Sequence, residues 1–257
     1  MNIAEQLRAV GLSGNETILM HSSMRAIAHR DADELIDCFK DYFKSGLFCI
    51  PTHTWAFLDD EYVLDLQNPK TCIGCLPNHA IIRQDAFISM HPTHSMAVFG
   101  GSDRAEDFIK EEIYSTTPTP INGCYGKICT EGGYILLAGV KHNRNTYIHA
   151  IEEMLGVPNR LSDEYKAVKI RDRAGKVYDR SIRPHKAVGI GDVSLNYVKY
   201  EEAFRYHGVI KDCYIGNAKS MLCDAKGMKE VVTLIRERSE GMEILSDPSP
   251  LQKELYI

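Results

Sequence analysis

The sequence predicts an α/β fold: a central, mostly parallel sheet flanked by helices, with a small antiparallel β insertion. Three observations predict it. Short apolar runs such as Leu47-Phe-Cys-Ile50 and Tyr134-Ile-Leu-Leu-Ala-Gly-Val140 alternate with amphipathic stretches of helical period. The runs are apolar throughout, which suits strands covered on both faces. From about Asn159 to Asp212 the texture changes: Tyr165 to Ile170 alternates, Ala174-Gly175 supplies a turn, and Val177 to Ile182 runs extended.

Residues 3 to 12 read as a short helix with Ile3, Leu7 and Val10 on one face, ended by Ser13-Gly14-Asn15. Thr17 to Met20 reads as a buried strand. From Ala32 to Lys44, Leu35, Ile36, Phe39 and Phe43 fall on one helical stripe that stops at Gly46, and Leu47 to Ile50 begins the next strand. Strand, helix, strand with short connections implies a right-handed crossover between parallel strands. Ser95 to Phe99 and Tyr134 to Val140 are further strands. Helices are expected near Arg104 to Glu112 and from about Tyr147 to Met154, the second closed by Pro158. A last helix carries Met228, Val231, Val232 and Ile235 on one face, and a polar, proline-containing tail follows. The expectation is one domain over residues 1–257, with a β-rich subdomain at about 159–212.

Composition narrows the function. A formal charge of −5 leaves no electrostatic footprint for nucleic acid and suits a cationic small substrate. The longest apolar run, Tyr134 to Val140, is far short of the roughly 20 residues that cross a bilayer. The N-terminal stretch from Met1 to Arg8 lacks a secretory pattern, so a cytoplasmic protein without a membrane partner is expected. Eight cysteines, several inside apolar runs as Cys49 is, read as reduced thiols.

The chemistry-bearing residues are few. His149 and Glu152 stand three apart after the most apolar strand, on one face of a helix's first turns, a spacing that supplies a general base and its orienting carboxylate. His91-Pro-Thr-His94 places two imidazoles on an extended loop, which is substrate-lining or structural or, as the rival reading, binds zinc. Cys72-Ile-Gly-Cys75 with His79 has the spacing of half a zinc knuckle but lacks a second pair, so packing at a helix start is expected. His21-Ser22-Ser23 follows the first strand, with Arg25, His29 and Arg30 nearby. It is either a phosphate-docking loop or a polar cap on the sheet. Asp59-Asp60-Glu61 and Asp65 could meet ammonium groups. No Gly-x-Gly-x-x-Gly, Walker loop, nucleophile elbow or His-Glu-x-x-His occurs.

In order and spacing, His21-Ser-Ser23, Ile50-Pro-Thr52, His91-Pro-Thr-His-Ser95, Tyr125-Gly-Lys127, Leu136-Leu-Ala-Gly-Val140, Asn145-Thr146 with His149 and Glu152, and Ile215-Gly-Asn-Ala-Lys219 resemble the aminoglycoside 3-N-acetyltransferase family along nearly the whole chain. The resemblance implies an acetyl-CoA-dependent N-acyltransferase, an antibiotic-resistance activity in many members, with His149 catalytic and Glu152 beside it. It puts the loop from His21 through Ser22 and Ser23 to Met24 on the coenzyme side, where Arg25 and Tyr125 are further candidates for coenzyme binding. It puts the His91 to Ser95 loop near the active centre. Departures stand out at Cys124-Tyr125, where many relatives carry Ser-Pro, and at Phe87 to Met90, which replaces an arginine.

On this reading acetyl-CoA is co-substrate, no metal is required, and the partner is a small-molecule amine; the chain is a monomer or homodimer. Direct transfer in a ternary complex is expected, with His149 as general base, Thr146 and the His91 to Ser95 loop as candidate oxyanion donors, and His94, His91, Asp59 and Asp60 facing the acceptor. The rivals are a zinc-dependent hydrolase on His91, His94 and His149, a non-catalytic CoA-binding relative, and, for mechanism, an acyl-enzyme on Cys124.

Overall fold

The computed structural model describes residues 2–186 and 191–257. Among these residues ten strands form: β1 (Thr17–Ser22), β2 (Leu47–Pro51), β3 (Leu64–Asp65), β4 (Phe87–Ile88), β5 (Met96–Gly100), β6 (Tyr134–Ala138), β7 (Lys166–Arg171), β8 (Val177–Ile182), β9 (Ile210–Ile215) and β10 (Ala218–Asp224). Seven of them make one sheet in the order β4-β5-β2-β1-β6-β10-β9, and β3-β7-β8 make a second.

The main sheet is parallel at its centre and antiparallel towards both edges. β1 pairs in parallel with β2 and with β6. β5 runs antiparallel to β2, and β10 antiparallel to β6. The motif Ile215-Gly-Asn-Ala-Lys219 is the turn of the β9–β10 hairpin. Gly216 sits there at φ +55, and a Cβ on it would stand 2.4 Å from the carbonyl oxygen of Ile27.

Both faces of the sheet are covered, which is why its strands are apolar without alternation. Along β1, Ile18 and Met20 enter one core with Phe39, Phe43 and Phe48, beneath the helices Ile3–Ala9, Ala32–Tyr42 and Cys75–Ile82. Leu19 enters the other, with Cys49, Val98 and Leu137, beneath the helices Cys124–Thr130, Tyr147–Met154 and Ala225–Arg238. Phe39 and Phe48 stack at 4.9 Å, and each such buried ring contributes roughly 1.5–3 kcal/mol.

Of the stretch 159–212, the β7–β8 hairpin is the β-rich part, with β3 added in parallel beside β7. Residues Val193–Tyr206 are helical, and β9 belongs to the main sheet. Residues 187–190 of that stretch lie outside the described residues. Among the described residues, no helix is long and apolar enough to cross a membrane.

Candidate active site

The carboxyl ends of the three parallel strands converge on one edge of the sheet, where open α/β folds gather ligands. His21 and Ser22 close β1, His53 follows β2, and Asn145 to His149 follow β6. Because β5 is antiparallel, its beginning rather than its end lies at this edge, and it brings His94 and Ser95 alongside. The loops are tied together: Thr52 N donates to the Ser95 carbonyl at 2.7 Å, and Thr54 N to the Thr93 carbonyl at 2.9 Å. Above them opens a cleft of about 780 Å³ whose walls include His21, His53, His94, Thr146, His149 and His185.

His149 projects into this cleft from the first turn of the helix Tyr147–Met154. Its Nδ1 lies 2.7 Å from the hydroxyl of Tyr197, which also makes a short hydrogen bond to Glu152. A carboxylate only accepts, so Tyr197 donates to Glu152 and accepts from the imidazole. The network therefore places the proton on Nδ1 and leaves Nε2 as a lone-pair nitrogen, without a partner among the described residues. Glu152 itself is 3.7 Å from Nδ1. The expected direct contact is thus replaced by a relay through a phenol.

Behind the relay, Arg160 donates to Glu152 at 2.6 Å and pairs with Glu243 at 2.8 Å. Burial pushes the Glu152 carboxyl upward, while the Arg160 guanidinium and the Tyr197 hydroxyl pull it back. Two carboxylates around one guanidinium leave one net negative charge, which an imidazolium at His149 would balance. Burial, reinforced by repulsion from His185, His53 and Arg160, holds the resting imidazole well below the usual histidine range, so it is neutral at pH 7.

A second imidazole and carboxylate stand alongside. The ring of His185 stacks on that of His149 with centroids 4.3 Å apart and planes 25° from parallel. Its Nε2 lies 3.3 Å from Glu153, whose same oxygen accepts from the amide and hydroxyl of Thr119 at 2.8 and 2.6 Å. The line of rings continues to His94, 5.0 Å from His185, and to His53, 4.5 Å from His94. Consecutive glutamates on one helix thus each support one of two stacked imidazoles.

The sequence matches the family described as aminoglycoside 3-N-acetyltransferase over residues 19–235. The chain belongs to that family. Solved structures agree in fold. "AAC-IIIb binary with CoASH" superposes with a TM-score of 0.76 at 20% identity, covering 92% of this chain and 95% of that one. A histidine-to-alanine variant of aminoglycoside acetyltransferase AAC(3)-IVa in complex with apramycin gives 0.72 at 20% identity, covering 93% of this chain and 92% of that one. The YokD protein from Bacillus subtilis gives 0.73 at 17% identity, covering 89% of each. No curated protein matches the chain in sequence. Family membership makes this an acyltransferase and directs attention to how its cleft is furnished.

The residues expected from sequence fall into two groups in this acyltransferase. His21, Ser22, His94, Thr146 and His149 line the cleft, and Glu152 sits directly behind it. His21 is deeply set, its Nε2 has no partner among the described residues, and burial together with His142 pushes it down to about 3. Ser23 caps the short helix Met24–Ile27, accepting from Ala26 N at 3.3 Å, while Met24 packs on the core and Arg25 is exposed. None of these three lines the cleft. Tyr125 is buried one layer back, where its hydroxyl holds His53 Nε2 at 2.6 Å.

Three residues expected to face the acceptor, His91, Asp59 and Asp60, are engaged elsewhere. His91 is fully buried: Nδ1 accepts from the amides of Thr93 and His94 at 3.0 and 2.8 Å, and Nε2 donates to the Thr117 carbonyl at 2.9 Å. Both nitrogens are spent on backbone, so the ring fixes its loop and cannot also ligate zinc. Among the described residues, no three His, Cys, Asp or Glu side chains gather as a metal site. Asp59 pairs with Lys166 and Asp60 with Lys70 on the outer surface, and neither lines the cleft. Cys124 is buried, its thiol pushed well up by desolvation and by Glu112, and it too stays outside the cleft walls.

Four residues escaped the sequence reading. His53 lies one position beyond the Ile50-Pro-Thr52 motif and two beyond the end of β2, where no local pattern marks it. His185 follows the β7–β8 hairpin in a region whose pattern spoke only of strands. Tyr197 and Arg160 lie 48 and 8 residues from their partners His149 and Glu152, and no local spacing signals such pairs.

Proposed function

We propose that the chain transfers an acetyl group from acetyl-CoA to an amine of an aminoglycoside or related amino sugar, by direct transfer with His149 as general base. The supporting observation is the open Nε2 of a neutral imidazole whose other nitrogen is tied through Tyr197 to Glu152.

Acetyl-CoA supplies an acyl thioester. His149 Nε2 takes a proton from the acceptor nitrogen as that nitrogen attacks the thioester carbonyl, and the C–N bond forms. The imidazolium is balanced by the net negative charge of the Glu152, Arg160 and Glu243 cluster. When the C–S bond breaks, His149 returns its proton to the departing sulfur, which leaves the enzyme as it began and releases a free thiol. The hydroxyl of Thr146, on the cleft wall at the start of the helix carrying His149, is the candidate donor to the developing oxyanion, because the amides of Thr93 and His94 are spent on His91. The hydroxyl of Ser22, on the cleft wall beside His21, suits the polar atoms of a pantetheine arm or phosphate. Stacking of His185 on His149 fixes the plane of the base.

His149→Ala should lower acetyl-CoA-dependent thiol release by about 10²- to 10⁴-fold while CoA binding, measured by calorimetry, stays close to wild type. Turnover equal to wild type would refute the assignment.

A further inference from the structure

The described walls of the cleft carry five imidazoles, one guanidinium, Arg144, and one carboxylate, Asp192. Residues 187–190, outside the description, are Ala, Val, Gly and Ile and carry no ionisable side chain, so the charge inventory is unaffected by them. The carboxylates close by are engaged elsewhere. Glu152 shares Arg160 with Glu243, so the net negative charge of that cluster lies behind His149 and not on the wall; Glu153 faces His185 and Thr119, and Asp59 and Asp60 face surface lysines. Asp192 itself caps the helical turn Val193–Tyr200, accepting from Ser194 N at 3.0 Å.

A ligand bearing several ammonium groups gives up hydration for each one it brings into a cleft, and needs a nearby anion in exchange. This cleft offers one carboxylate against one guanidinium. Its imidazoles add no negative charge, and burial keeps those of His21, His53, His94 and His149 uncharged near neutral pH. Such rings are instead good donors and acceptors for hydroxyl groups. Trp55, half-exposed on the wall, offers an aromatic face on which the C–H side of a sugar ring can lie. The overall charge of −5 draws cations toward the surface but supplies no local pairing in the site.

We infer that the acceptor is a monoamino sugar, whose one ionisable nitrogen is the one acetylated and whose remaining groups are hydroxyls, rather than a polyammonium aminoglycoside. The inference rests on the acetyl-transfer reading above and narrows its substrate class.

The test is initial-rate thiol release by the full chain at saturating acetyl-CoA. One set of acceptors is monoamino hexoses, such as glucosamine, galactosamine and 4-amino-4-deoxyglucose; the other is gentamicin, apramycin and neomycin. The best monoamino sugar should exceed the best polyammonium acceptor in kcat/KM by roughly tenfold or more. Its kcat/KM should change little between about 50 and 300 mM salt. A polyammonium acceptor that equals or exceeds the monoamines overturns the inference while leaving the acetyl-transfer reading intact. No His149-dependent release with either set overturns that reading, and the inference with it. Asn143→Asp, which adds a carboxylate to the wall, should raise kcat/KM for the polyammonium set more than for the monoamines; the reverse order counts against the inference.

Discussion

His91 and His149 stand at the same edge of the sheet, and their ring nitrogens are spent differently. His91 accepts two backbone amides on Nδ1 and donates to a backbone carbonyl from Nε2, so the whole ring holds the loop that leads into β5. His149 commits only Nδ1, to Tyr197, and keeps Nε2 toward the cleft. A histidine's capacity for chemistry lies in the nitrogen that the fold leaves unspent. A motif containing two histidines, such as His91-Pro-Thr-His94, does not say which of them that is.

The sharpest way to break this comparison is to exchange the readouts of the two residues. His149→Gln should cost about 10²-fold or more in kcat and little in stability, as urea denaturation would show. His91→Ala should do the reverse to the fold. It strands two buried amides and a carbonyl, and should lower unfolding free energy by about 2–4 kcal/mol. If the His149 variant instead unfolds readily, or the His91 variant keeps wild-type stability, the division of labour is wrong.

Tyr197→Phe comes next. It removes the acceptor from Nδ1 and leaves Glu152 3.7 Å away, so kcat should fall by about one to two orders of magnitude, less than on removing the base. CoA affinity should hold. A kcat unchanged by this variant would mean that Glu152 orients the ring unaided.

Acidification gives a smaller, graded effect. For a histidine whose folded pKa is depressed, the unfolded chain binds the extra proton first, so its stabilising contribution is complete above the unfolded value near 6.5 and is lost as pH falls from there toward the folded value. For His21 that window runs from about 6.5 down to about 3, and for His142 down to about 4. Each such group then costs up to about 1.4 kcal/mol per pH unit within its window. The melting temperature should fall steadily from pH 7 to pH 5, and a flat profile would show that these rings are solvated. The smallest effect belongs to Cys124→Ala: the thiol lies outside the cleft walls, and kcat should stay within about twofold of wild type. Abolished turnover in a folded variant would favour an acyl-enzyme instead.

The centre of the fold was legible because β1, β2 and β6 are buried on both faces, and two-sided burial writes itself as unbroken apolar runs. The helix Tyr147–Met154 was legible for a related reason: its period and the following proline are local signals. The short strands β3 and β4, two residues each, carry no period to read. The antiparallel sense of β5 and β10 was hidden, since strand direction depends on where the chain returns rather than on the strand's own composition. In the site, the His149 and Glu152 pair was visible as a spacing on one helix. The hydroxyl that joins them comes from Tyr197 on a different element, and Asp59 and Asp60 looked substrate-facing only because their lysine partners, Lys166 and Lys70, lie elsewhere along the chain.

The account turns on where one proton resides. Long-range ¹⁵N–¹H NMR of histidine-labelled protein at pH 7, with the His149 signals assigned by their loss in His149→Gln, reads it directly. The account predicts a neutral ring protonated on Nδ1, with Nε2 at the shift of a bare imine nitrogen. A doubly protonated ring, or a proton on Nε2 instead, would contradict it.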